Sequence, residues 1–167
     1  MSRGFVKESD QEDLPFIPPR APLPPGETNY VTPMGLRLLE EEAAALEAEK
    51  DNFSGDDEDE RRRHITVQEA KLVPLRERIA SARVIRPEEQ PREEVRFGAT
   101  VEVTFLATGK RKTLRIVGVD EADAKAGKIA FTAPVARVIT GLYAGEVAGF
   151  GGADDPRKIK VEKIRYL

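Results

Sequence analysis

"NYVTPMGLRLLEEEAAALEAEKDNF", residues 29–53, decides how this chain reads. Thr32 is a residue type that accepts hydrogen bonds from the unpaired amides of a first helical turn. Pro33 suits the first helical position, where no amide is needed. Leu36, Leu39, Ala43, Leu46, Lys50 and Phe53 then follow at steps of three and four. That spacing puts them on one helix face, mostly apolar, with Lys50 as the break and the glutamates largely off it. The same steps return in Ile65, Gln68, Leu72, Leu75, Ile79 and Ala82. A lone helix would leave its apolar stripe in water, so two matching stripes predict an antiparallel helical hairpin, a coiled coil, over residues 30–86. Pro74 falls inside the second stripe and costs roughly 3 kcal/mol in a helix interior, which predicts a bend or a late helix start.

The turn of this hairpin carries "SGDDEDERRR", residues 54–63. Ser54 and Gly55 end the first helix. Asp56, Asp57, Glu58, Asp59 and Glu60 are then five acids in a row, followed by Arg61, Arg62 and Arg63. Adjacent carboxylates about 4 Å apart repel by on the order of 1 kcal/mol in water. The run is therefore expected to add little to folding, and its removal to raise stability slightly. Magnesium takes oxygen ligands and keeps several waters, so one or two such carboxylates can serve it. The bland alternative is a solvated acidic loop. The basic residues of the second helix also read two ways, as contacts to RNA phosphates or as partners for Glu40, Glu41, Glu42, Glu47 and Glu49 across the hairpin. His64 reads as a helix-surface residue.

On either side the pattern changes. Residues 1–29 include "LPFIPPRAPLPPGE", whose prolines block helix and sheet alike and predict a disordered Pro-rich tail, either a spacer or a docking segment through Phe16 and Ile17. Residues 87–93 are a charged linker punctuated by Pro87 and Pro91. From residue 94 the period becomes two. "EVRFGATVEVTFL" places Val101, Val103 and Phe105 on one face, "ATGK" makes a turn and "RKTLRIVGV" returns. "DEADAKAGKIAF" predicts a helical turn closed by Gly127 and then a strand, "APVARVITG" a short helix, and "AGEVAGF" and "RKIKVEKIRYL" two more strands. Residues 94–167 thus read as an antiparallel-sheet domain and the whole chain as α+β.

Composition narrows the function classes. The net charge of −3 argues against a wholly basic nucleic-acid binder. Cysteine is absent, which excludes disulfides and cysteine zinc sites, and His64 as the one histidine argues against a histidine-rich metal site or a serine–histidine triad. No apolar run reaches the roughly 18 residues of a membrane span. "ATGKRKT" lacks the spacing of a phosphate-binding loop.

"VRFGATVEV", "IVGVDEADAKAGKIAFTAPVARVITG" and "KIRY" resemble the C-terminal domain of the Gre transcript-cleavage factors, a family of transcription elongation factors. "NYVTPMGLRLLEEE" and "RERIASARVI" resemble the two ends of the Gre helical hairpin. The resemblance implies an FKBP-like C-terminal domain, a coiled-coil hairpin, and bacterial RNA polymerase as partner, with nascent RNA inside the elongation complex. It implies a cytoplasmic monomer that is not itself an enzyme. Tip acids, Asp57 and Glu60 with Asp56 and Asp59 as substitutes, would be offered to a Mg2+ shared with the polymerase, which cuts backtracked RNA. Arg61, Arg62 and Arg63 would approach that RNA. Thr132, Pro134, Val135 and Arg137 correspond to the polymerase-binding loop, although Ala133 stands where the family has serine. The first helix spans only about 30 Å at roughly 1.5 Å per residue, shorter than in most of the family. Short-hairpin relatives that bind polymerase without cleavage therefore offer a second reading. A peptidyl-prolyl isomerase or chaperone is a third, suggested by the FKBP-like domain alone.

Overall fold

The computed structural model describes residues 15–152 and 154–167. The first part of the expected tail, residues 1–14, lies outside them. In chain order the elements are β1 (Tyr30–Val31), α1 (Pro33–Asp51), α2 (Glu58–Ser81), β2 (Arg83–Val84), β3 (Thr100–Phe105), β4 (Lys110–Val117), β5 (Lys128–Ala130), α3 (Pro134–Ile139), β6 (Val147–Gly149) and β7 (Lys158–Arg165).

The helical half forms as its spacing dictates. Thr32 Oγ accepts from the Gly35 amide at 2.9 Å and so caps α1. Leu39, Leu72 and Leu75 are buried, and Leu36, Ala43, Leu46 and Ile79 pack around Leu39 and Leu75. Gln68 shares the stripe and is buried with them. Residues near the end of α1 meet the start of α2, as in the Phe53–His64 ring contact, while Asn29 donates to the Arg78 carbonyl at the other end. The two helices therefore run antiparallel. Pro74 does not interrupt α2, which runs unbroken through it. Lys50, the break in the stripe, is absorbed by ion pairs to Glu69 at 2.7 Å and Glu47 at 3.0 Å. Arg76 pairs with the same two glutamates. Hydrogen bonds, first from Arg76 and then from Lys50, hold the Glu47 carboxyl below its ordinary value, and Lys50 does the same for Glu69.

The second half is a five-stranded sheet in the order β5-β4-β3-β7-β6. Here the expected antiparallel sheet is corrected: β5 pairs parallel with β4, so the sheet is mixed. The crossover from β4 to β5 is short, made by a loop and a single 3-10 turn at Ala124–Ala126 that Gly127 closes at φ +72°. Residues Val101, Val103, Ile116, Ile159 and Val161 bury one face, and α3 covers it with Ala136 and Ile139. Tyr166 fastens the last strand by donating to the Glu94 carbonyl at 2.5 Å and accepting from the Arg96 amide at 2.8 Å.

The two halves meet at the hairpin base. Strands β1 and β2 pair in parallel, Tyr30 opposite Arg83 and Val31 opposite Val84. The loop after β4 then closes on them. A Cβ on Gly118 would stand 2.7 Å from the Tyr30 carbonyl oxygen, so only glycine lets the two backbones come this close. Two acids follow it. Asp120 accepts from Arg20 and from Arg78, each at 3.0 Å, and its side chain is only 7 % exposed. Glu121 accepts from Thr32 Oγ at 2.5 Å, at the start of α1, where a carboxylate also suits the helix dipole. Arg20 belongs to the segment read as a free tail. It is tethered instead, bonded to Asp120 and doubly to Glu42, because that buried acid and the acidic face of α1 draw a cation onto them.

Substituting Gly118 by Ala forces a backbone shift of β1 against β4. The expected result is a loss of about 1–3 kcal/mol in chemical denaturation, with the hairpin amides losing hydrogen-exchange protection first. Acid should act separately on α1 and α2. The Glu47 and Glu69 carboxyls are held below their ordinary value of 4.5, so their contribution is full above that pH and is lost as the pH falls through the lower folded values. Helicity followed by circular dichroism against pH, with and without the Glu69→Gln change, measures this.

Candidate functional site

The turn between α1 and α2 is built from Asn52 to Asp57. Asn52 closes α1 by donating its amide to the Ala48 carbonyl at 3.0 Å. Phe53 then folds back so that its ring lies 5.0 Å from the His64 ring. Its far edge covers Gly55, where a Cβ would come within 2.5 Å of Phe53 Cζ. His64 donates from Nε2 to the Glu49 carbonyl at 2.6 Å, which fixes its tautomer and ties α2 to α1. The apex is thus a packed turn of two rings and a glycine.

The acids sit on this turn with unequal duties. Asp57 is the N-cap of α2, and its Oδ1 accepts from the Asp59 amide at 2.8 Å. Glu58, Asp59 and Glu60 occupy the first turn, where the helix dipole favours negative charge. Asp56, Asp57, Asp59 and Glu60 are all exposed. The run was expected to add little to folding; Asp57 nonetheless caps α2, and the first-turn acids lie where the helix dipole opposes their mutual repulsion. Among the described residues no three acidic or histidine side chains come together to hold a metal. The donor chemistry fits magnesium in a narrower sense. Exposed carboxylates can complete the oxygen shell of an ion already held elsewhere, and they form no cage of their own.

Arg61, Arg62 and Arg63 follow on the exposed surface of α2 beside the acids. Farther along α2 the arginines have structural partners, Arg76 with Glu47 and Glu69, and Arg78 with Asp120. Glu42, one of the acids expected to face α2, pairs with Arg20 instead.

The loop residues Thr132, Pro134, Val135 and Arg137 do not share one surface. Pro134 opens α3 and is exposed. Val135 turns inward and packs against the sheet core. Arg137 folds over the loop, donating to the Thr132 carbonyl at 3.1 Å and to Glu27 at 2.8 Å. Ala133 occupies the N-cap without a side-chain hydrogen bond, as an alanine must. Arg137 also borders a cavity of about 540 Å³ between hairpin base and sheet. There Tyr30 meets Phe97 and Phe131, with ring centroids 5.8 and 5.5 Å away, and the Arg83 guanidinium lies over Tyr30.

The architecture defines a class: a helical arm ending in acids, latched at its base to a mixed-sheet domain that carries an exposed proline–arginine loop. Residues 90–166 match the family described as transcription elongation factor, GreA/GreB, C-term. Residues 90–166 are therefore similar to the C-terminal domain of those factors. The transcription elongation factor GreA of Ralstonia nicotianae is 36% identical over 100 residues, 59% of this chain and 63% of that protein. That of Hyphomonas neptunium is 38% identical over 98 residues, 59% of this chain and 62% of that protein. The chain thus spans less than two thirds of the curated relatives it matches. A solved GreA/GreB factor from Nitrosomonas europaea is 24% identical, with a TM-score of 0.39 over 82% of this chain and 98% of that one.

The latch residues Asp120 and Glu121 escape a reading of the sequence. Asp120 lies 100 and 42 positions from its partners Arg20 and Arg78, and no local pattern links them. The capping role of Asp57 was not read from the sequence, although an aspartate just before a helical run is an N-cap signal.

Replacing Asp57 by Ala should lower stability by about 1 kcal/mol, and replacement by Ser or Asn by a few tenths at most. Thermal melts of the three variants compare them directly.

Proposed function

We propose that this chain binds bacterial RNA polymerase through its C-terminal domain and carries its acids to the polymerase active site, where they promote cleavage of backtracked nascent RNA. The position of the acids supports this reading. They cap the turn of a two-helix arm, at the end opposite the latch, on a chain whose residues 90–166 match the GreA/GreB C-terminal domain. In this reading the arm is a coiled coil, the sheet domain is FKBP-like, and the protein works as a cytoplasmic monomer with no catalytic residues of its own.

Each part of the chain then has a task. Glu60 and the outer oxygen of Asp57 are the carboxylates offered to the polymerase's metal, with Asp56 and Asp59 close enough to replace them. These carboxylates would complete the oxygen shell of a divalent ion, which would supply Lewis-acid activation of the attacking water. Arg61, Arg62 and Arg63 stand beside the acids and face the RNA phosphates. Pro134 and Arg137, exposed at the start of α3, provide the docking contact.

One observation favours a second reading, in which the arm occupies the polymerase channel without supporting cleavage. Helix α1 has 19 residues and spans only about 28 Å at roughly 1.5 Å per residue. An isomerase reading has less support, because Tyr30 of the hairpin base packs on Phe97 and Phe131 and so covers part of the aromatic surface there.

Halted, backtracked elongation complexes provide the test. Wild-type protein should shorten the RNA, and the pair Asp57→Ser with Glu60→Ala should stop this while retaining both the helix cap and polymerase binding. Binding without shortening by the wild type selects the channel-occupying reading. Pro134→Asp should abolish retention of polymerase in a pull-down, and undiminished recovery would remove α3 from the interface.

A further inference from the structure

At the end of the sheet farthest from the hairpin, the core face changes character. Direct cross-strand partners share a face of an antiparallel sheet. Val101 opposes Leu114, Val103 opposes Lys112, and Phe105 opposes Lys110. Along β4 the core-face positions therefore read Lys110, Lys112, Leu114, Ile116. The last two are buried and the first two are exposed. Helix α3 covers the near end of this face. The far end opens as a groove of about 310 Å³, floored by Phe105 and Ile159 and walled by Phe150, Lys110, Lys112 and Arg157. β4 is 8 residues long, so at about 3.3 Å per residue this groove lies some 25 Å from the latch.

Two features of the groove point to one kind of ligand. Each aromatic ring is already paired with a cation: Lys112 Nζ lies 5.9 Å from the Phe105 ring centre, and Arg157 Cζ lies 5.6 Å from that of Phe150. The groove is also rich in positive charge. Lys110 and Lys112 have no carboxylate partner among the described residues, while Asp155 pairs with Arg157 at 2.8 Å and also feels the charge of Lys158. Folding alone would place apolar residues at the two lysine positions on the core face. Flat apolar surfaces interleaved with unpaired cations suit a chain of flat, stackable bases joined by phosphates. In a duplex the base faces are stacked on one another and out of reach, so the ligand must be single-stranded.

We propose that this distal groove is a binding site for single-stranded nucleic acid, with a base stacked against Phe150 over the Phe105 floor and phosphates on Lys110, Lys112 and Lys158. The site is separate from the acidic tip and does not depend on the cleavage reading. It would give the sheet domain its own hold on a single strand.

Fluorescence anisotropy of a labelled 12-residue oligouridylate with the full chain tests this. Saturable binding is expected. Phe150→Leu keeps an apolar side chain at a position 36 % exposed, and should weaken binding about tenfold by removing the stacking face. The pair Lys112→Gln and Lys158→Gln should weaken it and flatten the slope of log affinity against log salt by about 1.4, the share of two phosphate contacts on a single strand. Arg61→Gln with Arg62→Gln should leave distal binding in place. Thermal midpoints of all variants should match the wild type, which confirms that the losses are local. The proposal is overturned by absence of saturable binding, by a duplex of equal length binding as tightly, or by loss of binding only when Arg61 and Arg62 are changed. Binding to anionic phosphatidylglycerol vesicles without binding to the oligonucleotide would assign the groove to a membrane surface and overturn it equally.

Discussion

Two adjacent carboxylates, Asp120 and Glu121, hold the halves of this protein together. Asp120 gathers Arg78 from the end of the second helix and Arg20 from the segment before the hairpin. Glu121 takes the hydroxyl of Thr32, which in turn caps the first helix. Both ends of the hairpin are thereby fixed to one loop. Such buried, multiply bonded charges stabilise only while every partner is in place, since removing one leaves another desolvated and unpaired. Glu121 shows the margin: one of its oxygens has no hydrogen bond, and Lys128 stands 3.7 Å away. Gly35 and Gly118 make the contact possible. A side chain at either would strike the Glu121 carboxylate or the Tyr30 carbonyl.

Local rules account for most of the elements. The three–four spacing of Leu36 to Phe53 and of Ile65 to Ala82 identified both helices. Thr32 and Pro33 marked the first start, and the alternation of Val101, Val103 and Phe105 marked the sheet. Pro74 was the weak point of that reading, and the helix tolerates it because Leu72 and Leu75 on either side are fully buried. What local rules missed depends on partners distant in sequence. The parallel pairing of β5 arises from a crossover whose end points no spacing reveals. The tethering of Arg20 depends on an aspartate 100 positions away. Proline content excludes helix and sheet for such a segment, and it leaves open whether a single side chain anchors it.

The candidate tip was legible in kind and only partly in detail. Five acids at a helix turn could be placed from the sequence, yet Asp57 proved to carry a structural bond as well as charge. Phe53, His64 and Gly55, which shape the apex, drew attention only as a seam residue, a lone histidine and a helix breaker. In the loop expected to dock, Val135 belongs to the core and Arg137 reaches back to Glu27. A signature in sequence names a segment, and packing decides which of its side chains face outward.

The hairpin is a lever pivoted at the latch. Its first helix is 19 residues long, about 28 Å at 1.5 Å per residue, so each degree of tilt at the base swings the apex by about 0.5 Å. A ten-degree rocking motion would displace the acids by about 5 Å, well beyond the length of any hydrogen bond they could make. Aim at the far end is thus a question of angular stiffness at the near end. The short β1–β2 ladder, the Gly118 contact and the Asp120 and Glu121 bonds together form the bearing of that lever.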